Sequence, residues 1–598
     1  MSTLSVKGDP EVKIWADRIE RGKKLRAKKK KEVKVFLDFY KSLQWGNRKV
    51  SLKHKPTVNL IFAHIKTQLP FLYYQNPKWF VNPVKRSAEF DVEKNAETAQ
   101  IYLNYYAREN AGSTLKKQMR LAILDAFFWF GAIKTGYVAD FEPNTNYGKY
   151  KILGYKEDEP IYDIDDESHI FRVDDVKEYP VNEKFVSRRV TPAAFIFDTE
   201  CDNYFEDGRF IIQEMVKPLI EVKKDERYIN TKTLKENFLV KVGLNIDEKT
   251  LREDEEYSGL EDDLKRVTLY EIYDREHDKL KVMAEGHDYW LRNEEIPEGI
   301  DKDPYSFILF NTVPDEVYPI ADLRPLIPIQ EEYNIGRGMI MEHAKRFARK
   351  YGYVDGMIDD DEMSKLQDPA DGTFFKVKDL PLSNVIEPLQ DAQLDSAVYT
   401  NFEQSKQDFR EVGGATEQDR GIVERRKTAY EAAKMSEATS IRKDDRKSLV
   451  EDFAAMVGKK TLQSMQANLT IEDAVFVGGE DKSKQWRKIS KEEICGEFNT
   501  TVETGSAAPN LPEYERSEIQ QLIQSLAGFP PEMIQTEINL GGLLRAVAKT
   551  FHTMDADDIL NPPEVRKQKQ EEMQKQKQVA ALLEMRGQDN KKQSNEKE

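Results

Sequence analysis

A chain of 598 residues with a net charge of −16, 39 % hydrophobic and 33 % charged residues has room for about four domains, or for fewer joined by long elements. The acidic balance argues against a surface that grips nucleic acid all over, because such affinity comes from Lys and Arg displacing counterions from phosphates. Aromatic residues reach 10 % and concentrate before Phe310, which excludes wholesale disorder and calls for a packed core in that region.

In chain order, residues 10–45 read as a basic helix in which Arg21–Lys34 (RGKKLRAKKKKEVK) precedes VFLDFYKSLQW. A solvated helical arm is expected there, or an arm that binds DNA or a partner. Val58, Ile61, Ile65, Leu69 and Leu72 recur at spacings of three and four and predict a second helix over residues 57–75. Pro77 forces an exit, and Trp79–Val81 reads as a strand. Lys94–Ala107 and Thr114–Phe130 are predicted helices, the second apolar on nearly every face and therefore expected at the centre.

Ala132–Asp140 reads as a strand, followed by a polar, acidic stretch from Asn144 to Gly208 with short strands at Phe185–Val190 and Ala194–Asp198. Residues 218–262 look helical and loop-like. RVTLYEIYD, KLKVMAEG, YWLRN and YSFILF form one predicted β-cluster over residues 266–310.

From Asp303 to Asn468 the elements follow a distinctive order. An extended segment from Pro304 leads through a double proline into the helix LRPLIPIQEEYNIGRGMIMEHAKRFARK. A compact insert follows, then the helix AQLDSAVYTNFEQSKQDFREV, a Gly413–Gly414 break, a short charged loop and a charged helix of about 40 residues. Globular helices run about 8–20 residues, so a helix of that length implies a spanning role. Ala474–Thr504 returns to short strands, and Leu511–Leu526, Pro531–Phe551 and a Gln/Lys/Glu-rich segment after Asn561 are predicted helices.

The two cysteines, Cys201 and Cys495, lie far apart with no CxxC, which predicts two buried free thiols in a reducing compartment. The most apolar stretch, Leu121–Ile133, contains Asp125 and falls short of the roughly 20 residues a bilayer span needs. Met1–Pro10 lacks the apolar core of a signal peptide, so the expectation is a soluble, intracellular protein with no membrane partner.

Chemistry-bearing motifs mostly fail on inspection. Gly131-AIKT-Gly136 has P-loop glycine spacing, but Tyr137 and Val138 stand where Lys and Ser/Thr are needed. Gly336-Arg-Gly338 starts a dinucleotide-type run but has Met341 at the third glycine position, and reads as small residues permitting close helix packing. The acidic runs Asp163–Glu167 and Asp359–Glu362 lack the alternating ligands and central glycine of a calcium loop. The seven histidines make no HExxH or paired Cys/His spacing. No catalytic residue, metal or cofactor is expected.

TQLPFLYYQNPKWFVNP, AILDAFFWFGAIKTGYV, RRVTPAAFIFDTE, FNTVPDEVYPIADLRPLIPIQEEYN and MEHAKRFARKYGYV, in this order, resemble the portal proteins (head-to-tail connectors) of tailed bacteriophages. The likeness runs from about Thr57 to Asn510. It implies a mixed α+β, predominantly helical fold of wing, stem, clip and crown, assembling as a ring around a central channel. On this sequence the wing takes residues 1–320, the stem helices 321–350 and 392–412, the clip 351–391 and the tunnel loop 413–426. The long helix and returning wing strands take 427–510, and the crown 511–598.

The resemblance implies no bond chemistry, but a homo-oligomer of about twelve subunits at the portal vertex of the virion, assembled in the host cytoplasm. Double-stranded DNA would pass through it during packaging and ejection. Terminase, the major capsid and scaffolding proteins and a neck or tail adaptor would be its partners. The residues singled out are Gly413, Gly414, Gln418, Arg420, Gly421, Arg425 and Arg426 for the DNA-facing loop, and Lys345, Arg346, Arg349 and Lys350 as a stem basic cluster. Asp359, Asp360, Asp361 and Lys365 stand for a clip partner surface. Glu417, Asp419 and Glu424 offset the arginines of the loop. The competing reading, from a different class, is a helical adaptor or scaffolding protein of a virus whose Arg21–Lys34 arm contacts nucleic acid; a nuclease or ATPase using the acidic loops is a third.

Overall fold

The computed structural model describes residues 8–46, 52–85, 91–110, 112–144, 147, 149, 152–156, 159–162, 178–201, 205, 207–236, 238–239, 265–346, 351–367, 376–378, 381, 385–388, 396–414, 429–470, 473–478 and 484–503. The fold is mixed, with 48 % helix against 21 % strand, so helix prevails. No helix among the described residues is long and apolar enough to cross a membrane. The chain divides into two units, residues 1–473 with 489–507, and residues 474–488 with 508–598. In the second unit the described residues belong to β15 (Asp473–Gly478) and β16 (Lys484–Ile489), which pair in a two-stranded sheet.

The first unit opens with α1 (Pro10–Tyr40), started by the Asp9 carboxylate accepting from the Glu11 N–H at 2.9 Å and by Pro10 in its first turn. It is no solvated arm. Val12, Trp15, Ile19, Gly22, Phe36 and Phe39 are buried along it, and their spacing places them on the inner side of the helix. Gly22 is what lets α1 seat: a side chain there would collide with Ile196. The run of lysines obscures this apolar stripe in the sequence, because sparse large side chains, not average hydropathy, anchor the helix.

The surface beneath α1 is an antiparallel sheet in the order β11 (Arg292–Glu295), β10 (Lys279–Ala284), β9 (Lys265–Asp274), β7 (Phe210–Pro218), β6 (Phe195–Phe197), with β8 (Phe238–Leu239) also pairing with β9. The two-residue period of strands sorts its faces. Ile196, Phe210, Ile212, Tyr270, Ile272 and Met283 pack with Val12, Trp15 and Ile19 of α1. The intervening Phe195, Phe197, Ile211, Tyr273 and Leu280 join Trp129, Phe130, Tyr305 and Phe307 in an aromatic core. Strand β7 is absent from the expectations above. FIIQEM has no alternation to mark it as a strand, since both of its faces are covered.

A second sheet has the order β12 (Tyr305–Ile308), β2 (Gly131–Pro143), β5 (Glu178–Arg189). YSFILF therefore does not belong with the cluster over residues 266–291, as its proximity in sequence suggested. The Gly131 to Gly136 spacing lies inside β2 and is paired on both sides, with Ile308 and Val186 as partners. Its backbone N–H groups serve the sheet and make no phosphate cradle.

Two helices precede β2. The first, α3 (Val92–Tyr105), passes through a π-turn at Tyr106–Asn110 into α4 (Gly112–Phe128). Ala122, Ile123, Ala126, Phe127 and Phe128 of α4 are buried, while Leu121 is 44 % exposed and Lys117 faces solvent. Its C-terminal half is central as expected; its first half is amphipathic. Cys201 and Cys495 form no disulfide, and both are half-buried, not buried.

Strand β1 (Trp79–Pro83) pairs antiparallel with β17 (Phe498–Val502) and lies against the last long helix, α9 (Ala429–Asn468), 40 residues long. The Trp79 indole donates to the Ala454 carbonyl at 2.8 Å and occupies the space that Gly458 leaves free. Val450, Phe453, Ala454, Val457, Leu462 and Met465 bury the C-terminal half of α9.

Ion pairs fasten these layers. Asp303, about 4 % exposed, takes Arg275 at 2.6 Å and Lys460 of α9 at 3.0 Å. Lys281 bridges Glu11 of α1 at 2.8 Å and Asp274 at 2.9 Å, with the Trp15 ring 5.2 Å from its ammonium. Burial opposes the charged form of all three groups, but mutual hydrogen bonding and attraction outweigh it. Both carboxylates are held below their ordinary range and the ammonium above its own.

Candidate functional site

The helices α6 (Leu326–Arg346) and α8 (Ser396–Gly413) form an antiparallel pair. Leu326 lies 3.6 Å from the position a Gly413 side chain would take, and Tyr333 stacks on Phe402 with ring centroids 4.4 Å apart. One helix therefore begins where the other ends. At 1.5 Å per residue each rod is about 30 Å long. Gly338 serves close packing, since a side chain there would sit 2.9 Å from Leu52, whereas one on Gly336 would meet Phe402 at an ordinary 3.8 Å.

Between the two helices the described residues form a small αβ element. Strand β13 (Tyr351–Tyr353) pairs antiparallel with β14 (Ile386–Pro388), and the short helix α7 (Asp360–Gln367) lies between them in sequence. Ile358 and Val385 are its buried apolar residues, and the Val354 N–H donates to the Val385 carbonyl at 3.0 Å.

The root of the pair is clasped by α2 (Leu60–Leu72). On the α6 side, the buried Gln330 amide accepts from the Leu60 N–H at 2.8 Å and donates to the Val58 carbonyl at 2.8 Å. The Asn334 side-chain oxygen accepts from the Val58 N–H at 3.1 Å. On the α8 side, Gln68 donates to the Gly413 carbonyl at 3.3 Å, and His64 sits edge-on to the Phe409 ring at 6.2 Å.

A further link reaches α9. Arg446 donates to the Gln68 side-chain oxygen at 3.3 Å and to Asp322 at 2.6 Å. The end of α8 and the first buried part of α9 are thus fixed to the same short helix, just where Gly413 and Gly414 break the chain. Gly414 has φ +65, a conformation that favours glycine. A side chain on Gly413 would come within 3.1 Å of His64, so glycine is also what lets α8 close against α2.

Of the expected loop residues, Gly413 and Gly414 fall on this anchor, while Gln418, Arg420, Gly421, Arg425 and Arg426 lie outside the described residues. Lys345 and Arg346 close α6; Arg349 and Lys350 lie outside the described residues. Asp359 pairs with Lys378, both more than half exposed. Asp360 and Asp361 stand in the first turn of α7, where carboxylates suit the positive end of the helix dipole.

Lys365 pairs with Glu362 at 2.8 Å. That hydrogen bond, with one from the Lys376 N–H, holds the Glu362 carboxyl below its usual range. Asp359 and Lys365 are thus engaged within the element itself. Asp163–Glu167 lies outside the described residues. The anchor residues His64, Gln68, Asp322, Gln330, Asn334 and Arg446 were not anticipated; single polar residues scattered over the chain carry no local signal of meeting.

Among the described residues, no group of three or more His, Cys, Asp or Glu gathers to hold a metal ion. An open cleft of about 470 Å³ is lined by Glu298, Asp301, Gln463, Gln466 and Lys491. Its amide and ammonium are spent on backbone carbonyls, Gln466 on Ile494 and Gly496, Lys491 on Ala467. No nucleophile and base are paired there. The α2 contacts hold the two helices in place at their root. The chain matches no protein-family model, and no curated protein matches it.

Proposed function

We propose that the protein is a portal subunit, a phage head-to-tail connector that assembles as a ring through which double-stranded DNA is packaged and ejected. The observation that carries this reading is the antiparallel α6–α8 pair. It is rooted on α2, bears a small αβ element between its helices, and is followed by a glycine break and a 40-residue helix. Such an order of rods suits elements crossing a ring wall. In this reading α6 and α8 are the stem, residues 351–391 the clip that terminase and later the neck or tail adaptor dock on, and residues 413–426 the tunnel loop. The remainder forms the wing and crown.

Exposed apolar side chains on the stem pair support an assembly. Met339 and Met341 on α6 are 50 % and 38 % exposed, and Tyr399 and Val412 on α8 are 51 % and 49 % exposed. In a ring these faces meet neighbouring copies. A ring of about twelve 69.4 kDa subunits has a mass of roughly 830 kDa, and closed cyclic symmetry is the ordinary outcome of one heterologous contact. Native mass measurement with negative-stain microscopy tests this: a hollow ring is expected, and monodisperse monomers at high concentration overturn it.

A further inference from the structure

The segment Arg21–Lys34 holds nine basic residues and one acidic residue in a chain of net charge −16. Docking of α1 sorts eight of these cations into two sets. Lys23, Arg26 and Lys29 lie on the inner flank and pair with Glu285, Glu214 and Glu316. Arg21, Lys24, Lys28, Lys31 and Lys34 are all exposed, and their spacings of three and four put them along one side of the helix. The row is about 20 Å long.

Lys24 of this row pairs with the exposed Glu20 at 3.1 Å, a contact of the kind solvent and salt largely screen. Glu285, Glu214 and Glu316 are therefore committed to the inner flank, and the outer row stands as a positive strip.

We infer that this outer row of α1 is a contact surface for the phosphate backbone of duplex DNA, separate from the glycine-break loop. Two observations choose the partner. The aromatic and apolar side chains Trp15, Ile19, Phe36 and Phe39 are buried against the protein, so the row offers bases no stacking platform and single strands nothing beyond charge. The exposed apolar residues of α1, Ile14 and Val35, stand far apart and make no face to sink into a lipid surface. A rigid row of lysines, acting as point charges on flexible stems, matches a stiff, regularly charged rod and reads no sequence. The choice of DNA among duplexes rests on the conduit reading; the polyanion contact itself does not.

The test uses the full-length protein and a labelled 30-base-pair duplex, with anisotropy read across salt concentrations. Wild type should bind with a log–log salt slope of about −4, as four or five phosphate contacts give. The triple variant Lys24→Glu/Lys28→Glu/Lys31→Glu should weaken binding at least tenfold and flatten the slope, with unchanged far-ultraviolet circular dichroism. The same affinity in both proteins, or no binding by folded wild type, overturns the inference. Tighter binding of polyglutamate than of DNA overturns it in favour of an acidic protein partner, and preference for duplex RNA reassigns it away from DNA. Ring formation is measured separately by native mass, so a protein that forms rings yet ignores DNA sinks only this inference.

Discussion

The sheet core and the α6–α8 pair are built on opposite principles. In the core, Phe130, Phe195, Phe197, Phe205 and Phe307 surround one another with centroid distances of 4.2–6.1 Å, and every ring is buried. In the α6–α8 pair Leu326, Ile327 and Phe409 are buried toward the root and Tyr333 stacks on Phe402, while Met339, Tyr399 and Val412 face outward. The first region satisfies itself. The second leaves apolar surface exposed, which the portal reading proposed above assigns to contacts between neighbouring copies.

Substitutions can break this contrast. The largest effect is expected for Phe307→Ala, which opens a cavity in the middle of the ring cluster and should cost about 4 kcal/mol in denaturant unfolding. A loss below about 1 kcal/mol would show that the cluster is not the core it resembles. Asp303→Asn should follow, at about 3 kcal/mol, because Arg275 and Lys460 are left as partly buried cations without their shared carboxylate. Lys460→Met in the same background should recover part of that loss, as removing one stranded charge predicts.

Gly413→Val forces a branched side chain onto His64 and should destabilise by about 1–3 kcal/mol. Hydrogen exchange should localise the change to α2 and α8, leaving the sheet core untouched; uniform change would refute the anchor. The smallest effect on the subunit is expected for Met339→Ser/Tyr399→Ser, within about 0.5 kcal/mol. Its effect on assembly should be the greatest of all, with rings lost in light scattering. Intact rings would place those side chains outside the contacts.

The docking of α1 has its own pH signature. Glu11 and Asp274 are held below their ordinary range. Their contribution is present above the unfolded carboxylate range near about pH 4 and is lost as pH falls through the depressed values. Lys281 is held above its ordinary range, so its contribution is full below about pH 10 and is lost only beyond that. Emission from Trp15 and Trp290 should shift red below about pH 4, and Lys281→Met should abolish the pH dependence of that shift.

What the sequence made legible was periodic and long. The spacing from Ile61 to Leu72 marks α2, and a run rich in Ala, Lys and Glu marks α9. The break at Gly413–Gly414 was likewise visible, because glycine pairs punctuate helices. Sheet membership was not: β12 sits beside β2, more than 160 residues earlier, and nothing local encodes that pairing. The link from Gln68 to Arg446 to Asp322 was hidden for the same reason, since three ordinary polar residues acquire meaning only once the helices that carry them converge.

Arg446 offers one last consequence. Its bonds to Gln68 and Asp322 hold α9 at that point, which makes it a fulcrum. From there to Ala429 the helix extends for 17 residues, a stiff lever of about 26 Å. Tilting such a lever by about 7° carries its tip roughly 3 Å sideways while Trp79, wedged beside Gly458, hardly moves. A push on the tip would therefore arrive at α2 and the glycine break as torque.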